Sequence, residues 1–305
     1  MMSRGARAGR IGALVAVLAA AAIGAGAAPA RSWGAHGHRI SGHAAAVNLP
    51  AEMPRFFREA AAQLEYLNPE PDRWRVDEFA AMNDAYAFDH YIDLEVVPDS
   101  ALLEPDRFEY LSWLESHGLE NAAQRAGLLP YHILELHQRL TVGFGLWRRA
   151  PDRATRNFIE ERIVNDAGIL GHYVTDGANP HHSTIHFNGW DANTPNPRDF
   201  TTDRTFHRRF ESDFVTAQIR IGDLLPRVSA WPRELNDARA DVLAFLRASN
   251  ARVERLYELE QAEAFGAGTT ALTHKEFAIE RLVAGVEMLR ALWFSAWQES
   301  ADLPR

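Results

Sequence analysis

Apolar positions recur at three- and four-residue spacing along much of this 305-residue chain, the period of helices with one buried face. Over 51–66, Phe56, Phe57, Ala60 and Leu64 share a side. Over 121–148, Ile133, Leu134, Leu140 and Phe144 do so, as one or two helices. The stretch 156–176 carries Ile159, Ile163, Ile169, Leu170, Tyr173 and Val174, and further helices are predicted over 205–224, 236–260 and 273–298. Strand-like alternation is sparse. Loops are expected at 67–73, 95–106 and 177–203. The third contains Asn193-Thr-Pro-Asn-Pro197, a turn-rich run, and loops of that length tend to be functional. With no internal repeat and no linker, the pattern predicts one all-α domain over 33–305.

The first 32 residues break the pattern. Arg4, Arg7 and Arg10 precede an Ala/Gly-rich apolar run over 11–28, and Ala30 and Ser32 then occupy the small-residue positions of a cleavage site before Trp33. That is the layout of a secretory signal peptide. A membrane anchor is the competing reading, because the run is nearly long enough to span; its composition and small-residue end favour cleavage. The expectation is export, to the periplasm or the outside. No other segment is apolar enough to cross a membrane. The formal net charge is −9, and loss of 1–32 removes Arg4, Arg7, Arg10 and Arg31 but no acid. Such a balance disfavours non-specific binding to nucleic acid or anionic lipid, so a polyanionic substrate needs local attraction of the kind bound cations supply.

The chain has no cysteine, which excludes thiolate metal sites and cysteine nucleophiles and turns attention to its thirteen histidines. His172 and Asp176 are four apart, on one helical face. Pro180 ends that helix and His182 follows in the exit. Imidazole and carboxylate on one face with a third ligand from the loop suits zinc, and a shared carboxylate can bridge two ions. A surface pair or a satisfied core contact would look the same. His207 and Glu211 repeat the spacing, although Arg208 and Arg209 beside them also read as a solvated face. In Trp33-Gly-Ala-His-Gly-His38, cleavage would free an α-amino group that can chelate together with its carbonyl and His38; otherwise the segment is a Gly/His-rich loop. Asp89-His90-Tyr91-Ile92-Asp93 and Asp72-Arg73-Trp74-Arg75 supply further candidates. His90 is equally readable as a core histidine, and Asp72 as a loop or N-cap residue.

Taken in order, these residues resemble the trinuclear-zinc family that contains the single-strand-specific nucleases of fungal and plant type and bacterial zinc phospholipase C. That family carries a mature N-terminal Trp, a nearby His, an Asp, a His, an H-x-x-x-D-x-x-x-P-x-H segment, and then H-x-x-x-D or H-x-x-x-E. The resemblance runs from Trp33 to about Glu211; the C-terminal helices carry no motif. It implies an all-α fold and three Zn2+ ions: one on Trp33, His38 and Asp176; one on Asp72, His90, His172 and a bridging Asp176; one on His182, His207 and Glu211. It also implies that Asp72 and Arg75 are catalytic, orienting the attacking water and neutralising developing phosphorane charge, and that Tyr91 and Asp93 hold a base. Asn179 departs from the pattern, standing where Gln is usual. The spacing from Asp72 to His90 is longer than expected, which makes Asp77 and Asp84 rivals for the Asp72 role. His36, His181 and His186 lie close enough in sequence to substitute or to support the ligands.

The implied activity is zinc-dependent phosphoric ester hydrolysis. The favoured form is a nuclease or 3′-nucleotidase acting on single-stranded nucleic acid or nucleotides. Phospholipase C acting on phospholipid is the alternative, because Glu211 resembles that branch where the nucleases usually carry Asp. A non-catalytic zinc-binding protein is the third reading. No obligate protein partner is inferred.

Overall fold

The computed structural model describes residues 33–304, so the signal segment 1–32 lies outside the described residues. Regular structure among them is helical, with two isolated β-bridges, Ile92 to Gly127 and Phe187 to Gly189. The all-α expectation therefore holds. The principal helices are α1 (Gly34–Ala46), α2 (Ala61–Leu67), α3 (Leu129–Arg148), α4 (Arg153–Ala178), α5 (Ala238–Asn250), α6 (Val253–Ala262) and α7 (Leu272–Glu299). The long helices α3 and α4 pack on each other, α7 lies against both, and α1 packs against α2, α4 and α7. Among the described helices none is long and apolar enough to cross a membrane.

Helix α4 positions the site. Asp152 starts it, its side chain accepting from Thr155 N at 2.8 Å, an N-cap that satisfies an otherwise orphaned donor. From Asp166 to Ala178 every residue is buried. A helix buried on all sides runs through a core rather than over it, and this stretch carries His172 and Asp176. At its end Asn179 takes an extended conformation, φ −80° and ψ 120°. The Asn179 side chain accepts from His181 N at 3.1 Å, turning the chain into the 3-10 turn Pro180–Ser183.

The helices break where tertiary contacts demand it. The stretch 51–66 divides into Arg55–Arg58 and Ala61–Leu67. The stretch 121–148 divides at Gly127, whose φ of 76° and approach to Tyr91 leave no room for a side chain; a Cβ there would sit 2.1 Å from Tyr91 O. The stretch 205–224 is helical from Phe206 to Gln218 with a π-helical middle turn, Arg209–Phe214, and resumes at Ile221–Leu224. The stretch 236–260 separates into α5 and α6. Part of the expected 67–73 loop is the helical turn Glu70–Arg73.

Ala80–Tyr86, Arg107–Ser116 and α1 fell outside the periodic pattern, the first with no buried residue. Arg107–Ser116 buries only Tyr110 and Leu114. Helix α1 contains Gly34, Gly37 and Gly42, which weaken intrinsic helicity; packing of Trp33 and of Asn68 against Gly37 and Gly42 outweighs that cost.

Candidate metal centre

Three groupings of ligand-type side chains lie together in the interior: His38, His172 and Asp176; Asp72, His90 and His172; and His182, His207 and Glu211. Within each grouping the ligand atoms all lie within 4.8 Å of one another. The helical spacings read from the sequence converge here from separate elements: α1 brings His38, the turn Glu70–Arg73 brings Asp72, the 3-10 turn Ala87–His90 brings His90, and the π turn brings Glu211 beside His207. Distortion from α to π geometry is common at functional sites.

Asp176 sits at the middle. Its Oδ1 is 3.3 Å from His38 Nε2, and its Oδ2 is 3.0 Å from His90 Nδ1 and 3.2 Å from His172 Nε2. His182 Nδ1 is 3.9 Å from the same oxygen. Glu211 Oε2 lies 2.8 Å from His207 Nε2 and 3.8 Å from His182 Nε2. The rings of His38 and His172 stack at 4.1 Å.

Several of these polar atoms are buried and without a hydrogen-bond partner: His90 Nε2, His182 Nε2, His207 Nδ1 and Glu211 Oε1. Each such orphan costs about 1–3 kcal/mol, and native interiors rarely tolerate them. Lone-pair donors gathered in one place are satisfied together by divalent cations. The donor set of imidazole and carboxylate, without thiolate, suits zinc and other divalent ions. These clusters can hold metal ions.

The electrostatics agree with that chemistry. Burial lowers His90 to about 4 and His207 to about 3, so both are neutral at physiological pH, the form in which an imidazole can hold a metal ion. Burial opposes the charge on Asp176, but His172 and His182 hold its carboxyl well below the usual range. Burial pushes Glu211 up to about 8; a cation arriving beside it would displace its proton.

The other sequence candidates fall as follows. Asp72, not Asp77 or Asp84, joins His90 and His172. The Asp72 and Arg75 side chains are 15% and 22% exposed and 3.7 Å apart, at the rim of an otherwise closed cluster. Trp33 is fully buried, its indole donating to Thr175 O at 2.7 Å and packing on Phe210. That anchors the start of α1 one residue from Asp176; the Trp33 carbonyl accepts from Gly37 N at 3.1 Å within α1. His36 meets Ile219 O at 3.0 Å and His186 stacks on Trp190, so both are engaged elsewhere. His181 is buried against Phe206, Phe210 and His207 with neither nitrogen hydrogen-bonded.

Tyr91 and Asp93 face the Gln124–Gly127 segment. The Tyr91 hydroxyl donates to Gln124 O at 2.6 Å. Asp93 is 9% exposed, and burial together with the Glu95 charge pushes its carboxyl up to about 8. The unfolded chain releases this proton near 3.8 and the folded chain near 8, so stability falls as pH rises between those values and is level above them. Asp93→Asn is expected to raise the melting temperature at pH 8 and to change it little at pH 4. Equal shifts at both pH values would show that the buried carboxyl is ionised throughout.

One supporting residue escaped the motif reading. Asn68, fully buried after α2, accepts from His38 Nδ1 through its side-chain oxygen at 3.0 Å and from His172 Nδ1 through its carbonyl at 3.0 Å. His182 Nδ1 likewise donates to His90 O at 2.6 Å. Each bond fixes the tautomer that presents Nε2 to the cluster. The available signal was Gly171, a glycine inside a long helix where it is costly; a Cβ there would lie 2.4 Å from Asn68 Nδ2.

No family model matches the chain, and neither a curated protein nor a solved structure matches it.

Proposed function

We propose that the chain is an exported zinc-dependent phosphoric ester hydrolase related to the trinuclear-zinc nucleases and phospholipases C, and that it acts as a nuclease or 3′-nucleotidase on single-stranded nucleic acid. The observation that carries this reading is the convergence of three ligand groupings on buried, unpartnered donor atoms, with the partly buried Arg75 3.7 Å from Asp72. Three zinc ions would be held by His38, Asp176 and the Trp33 main chain; by Asp72, His90, His172 and Asp176; and by His182, His207 and Glu211. Bound zinc lowers the pKa of water to about 7 and polarises a phosphoryl oxygen.

The chain's own residues do the rest. Asp176, touching histidines from three other elements, ties the groupings into one unit. Asp72 at the rim accepts a hydrogen bond from the attacking water and orients it. Arg75 presents a planar guanidinium whose charge and fork geometry match a phosphate. The buried walls around Glu211 and His207 keep bulk solvent away, which strengthens every charge interaction inside.

The test uses protein with residues 1–32 removed, assayed on single-stranded DNA, RNA and phosphatidylcholine with and without chelator. Chelator-sensitive cutting of nucleic acid is expected. Lipid cleavage without nucleic-acid cleavage would move the activity to the phospholipase branch. Bound zinc with no hydrolysis of any ester would leave a zinc-binding protein and overturn the enzyme reading.

A further inference from the structure

The stretch that lengthens the Asp72–His90 spacing folds into the short helix Ala80–Tyr86. With the turn before it, this helix borders a cavity of about 140 Å³, lined by Pro71, Trp74, Arg75, Asp77, Met82, Asn83, Tyr86 and Ala87. The cavity adjoins the metal centre: Pro71 and Arg75 flank Asp72, and Arg75 lies 3.7 Å from the Asp72 carboxylate.

Its walls select a chemistry. Trp74 and Tyr86 adjoin with ring centroids 5.2 Å apart and planes at 53°, a corner of two π-faces. A cavity of about 150 Å³ admits one aromatic ring, room for a pyrimidine or for the six-membered edge of a purine, and stacking on aromatic side chains is how single-stranded bases are gripped. Asn83 spends its amide donor on Val76 O at 2.8 Å, which leaves its Oδ1 shielded from solvent and without a partner. A shielded acceptor is satisfied by an N–H donor. Arg75 stands between the cavity and the ligand groupings, where a phosphate attached to the occupant would lie. A choline headgroup would also be attracted to aromatic faces, but a quaternary ammonium has no N–H for Asn83.

We propose that this cavity is a base-binding subsite of the centre, taking a nucleobase that donates an N–H to Asn83 and whose adjoining phosphate meets Arg75. The proposal rests on the nuclease reading and supplies its specificity: base-bearing esters, whose bases all carry an N–H, over base-free and choline esters.

The experiment compares zinc-loaded wild-type, Trp74→Ala and Asn83→Ala proteins on adenosine 3′-phosphate, uridine 3′-phosphate and base-free ribose 3-phosphate. Zinc content and calorimetric binding of adenosine 5′-phosphate are measured on the same samples. Trp74→Ala is expected to lower kcat/KM for adenosine 3′-phosphate by about 5- to 100-fold, with a much smaller loss on ribose 3-phosphate and no loss of zinc. Asn83→Ala is expected to lower kcat/KM for adenosine 3′-phosphate and uridine 3′-phosphate alike and to leave ribose 3-phosphate unchanged. Equal losses on base-bearing and base-free esters would overturn the subsite, as would a wild-type preference for phosphocholine esters that Trp74→Ala abolishes. If wild type hydrolyses no ester at all, the nuclease reading fails, and the cavity is judged by binding alone: adenosine 5′-phosphate binding equally to wild type and Trp74→Ala overturns it.

Discussion

Asp176→Ala protein is expected to purify with less zinc than any other single-ligand variant and to lose more than a hundredfold in hydrolysis. The reason is geometric. Asp176 lies within 3.3 Å of His38, His90 and His172, and 3.9 Å from His182, so its removal reaches ligands from α1, the Ala87–His90 turn, α4 and the Pro180–Ser183 turn together. Glu211, by contrast, contacts only His182 and His207 within its own grouping. Loss of a supporting partner around a metal usually costs 10- to 100-fold, and a ligand shared between two sites should exceed that. Asp176→Asn keeps the volume and some hydrogen bonding while removing the charge, so it separates metal loss from packing damage. Elemental analysis beside circular dichroism checks both variants. A folded Asp176→Asn protein with the wild-type metal content would remove Asp176 from the ligand set.

How much of this was readable in the chain depends on how local the determinant is. The pairs His172/Asp176 and His207/Glu211 were visible because a helical turn alone places residues four apart on one face. Helices α4 and α7 were visible for the same reason, since long apolar repeats override local detail. Asp72 could not be separated from Asp77 and Asp84 by spacing. The structure distinguishes them: Asp72 reaches His90 and His172, Asp77 lines the neighbouring cavity, and Asp84 is exposed. Helix α1 was hidden by its own glycines. Those glycines are needed for contacts with Trp33 and Asn68, partners the α1 pattern does not contain. The break at Gly127 has the same origin, a carbonyl of Tyr91 pressed against the backbone. Tyr91 and Asp93 were placed by motif alone; the fold ties the first to Gln124 and buries the second beside Glu95.

Asn68 gives the sharper test of how the centre is held. A neutral imidazole carries one proton, and the nitrogen without it is the one that can ligate. With Nδ1 of both His38 and His172 donating to Asn68, the lone pairs are left on the Nε2 atoms, which lie 3.3 and 3.2 Å from Asp176. Asn68→Ala removes the acceptor for His38 but leaves the main-chain acceptor for His172. Zinc affinity is therefore expected to fall by about 10- to 100-fold, and nitrogen chemical shifts should show a mixed tautomer at His38 while His172 keeps its Nδ1 proton. Asn68→Asp restores an acceptor oxygen in the same place and should recover most of the affinity. The space is limited, because Gly42 and Gly171 would bring a Cβ within 2.9 and 2.4 Å of the Asn68 side chain, but alanine and aspartate both fit within the volume that asparagine occupies. If both histidines changed together, or if aspartate failed to rescue, Asn68 would be acting by packing α2 against α4 rather than by fixing the tautomer.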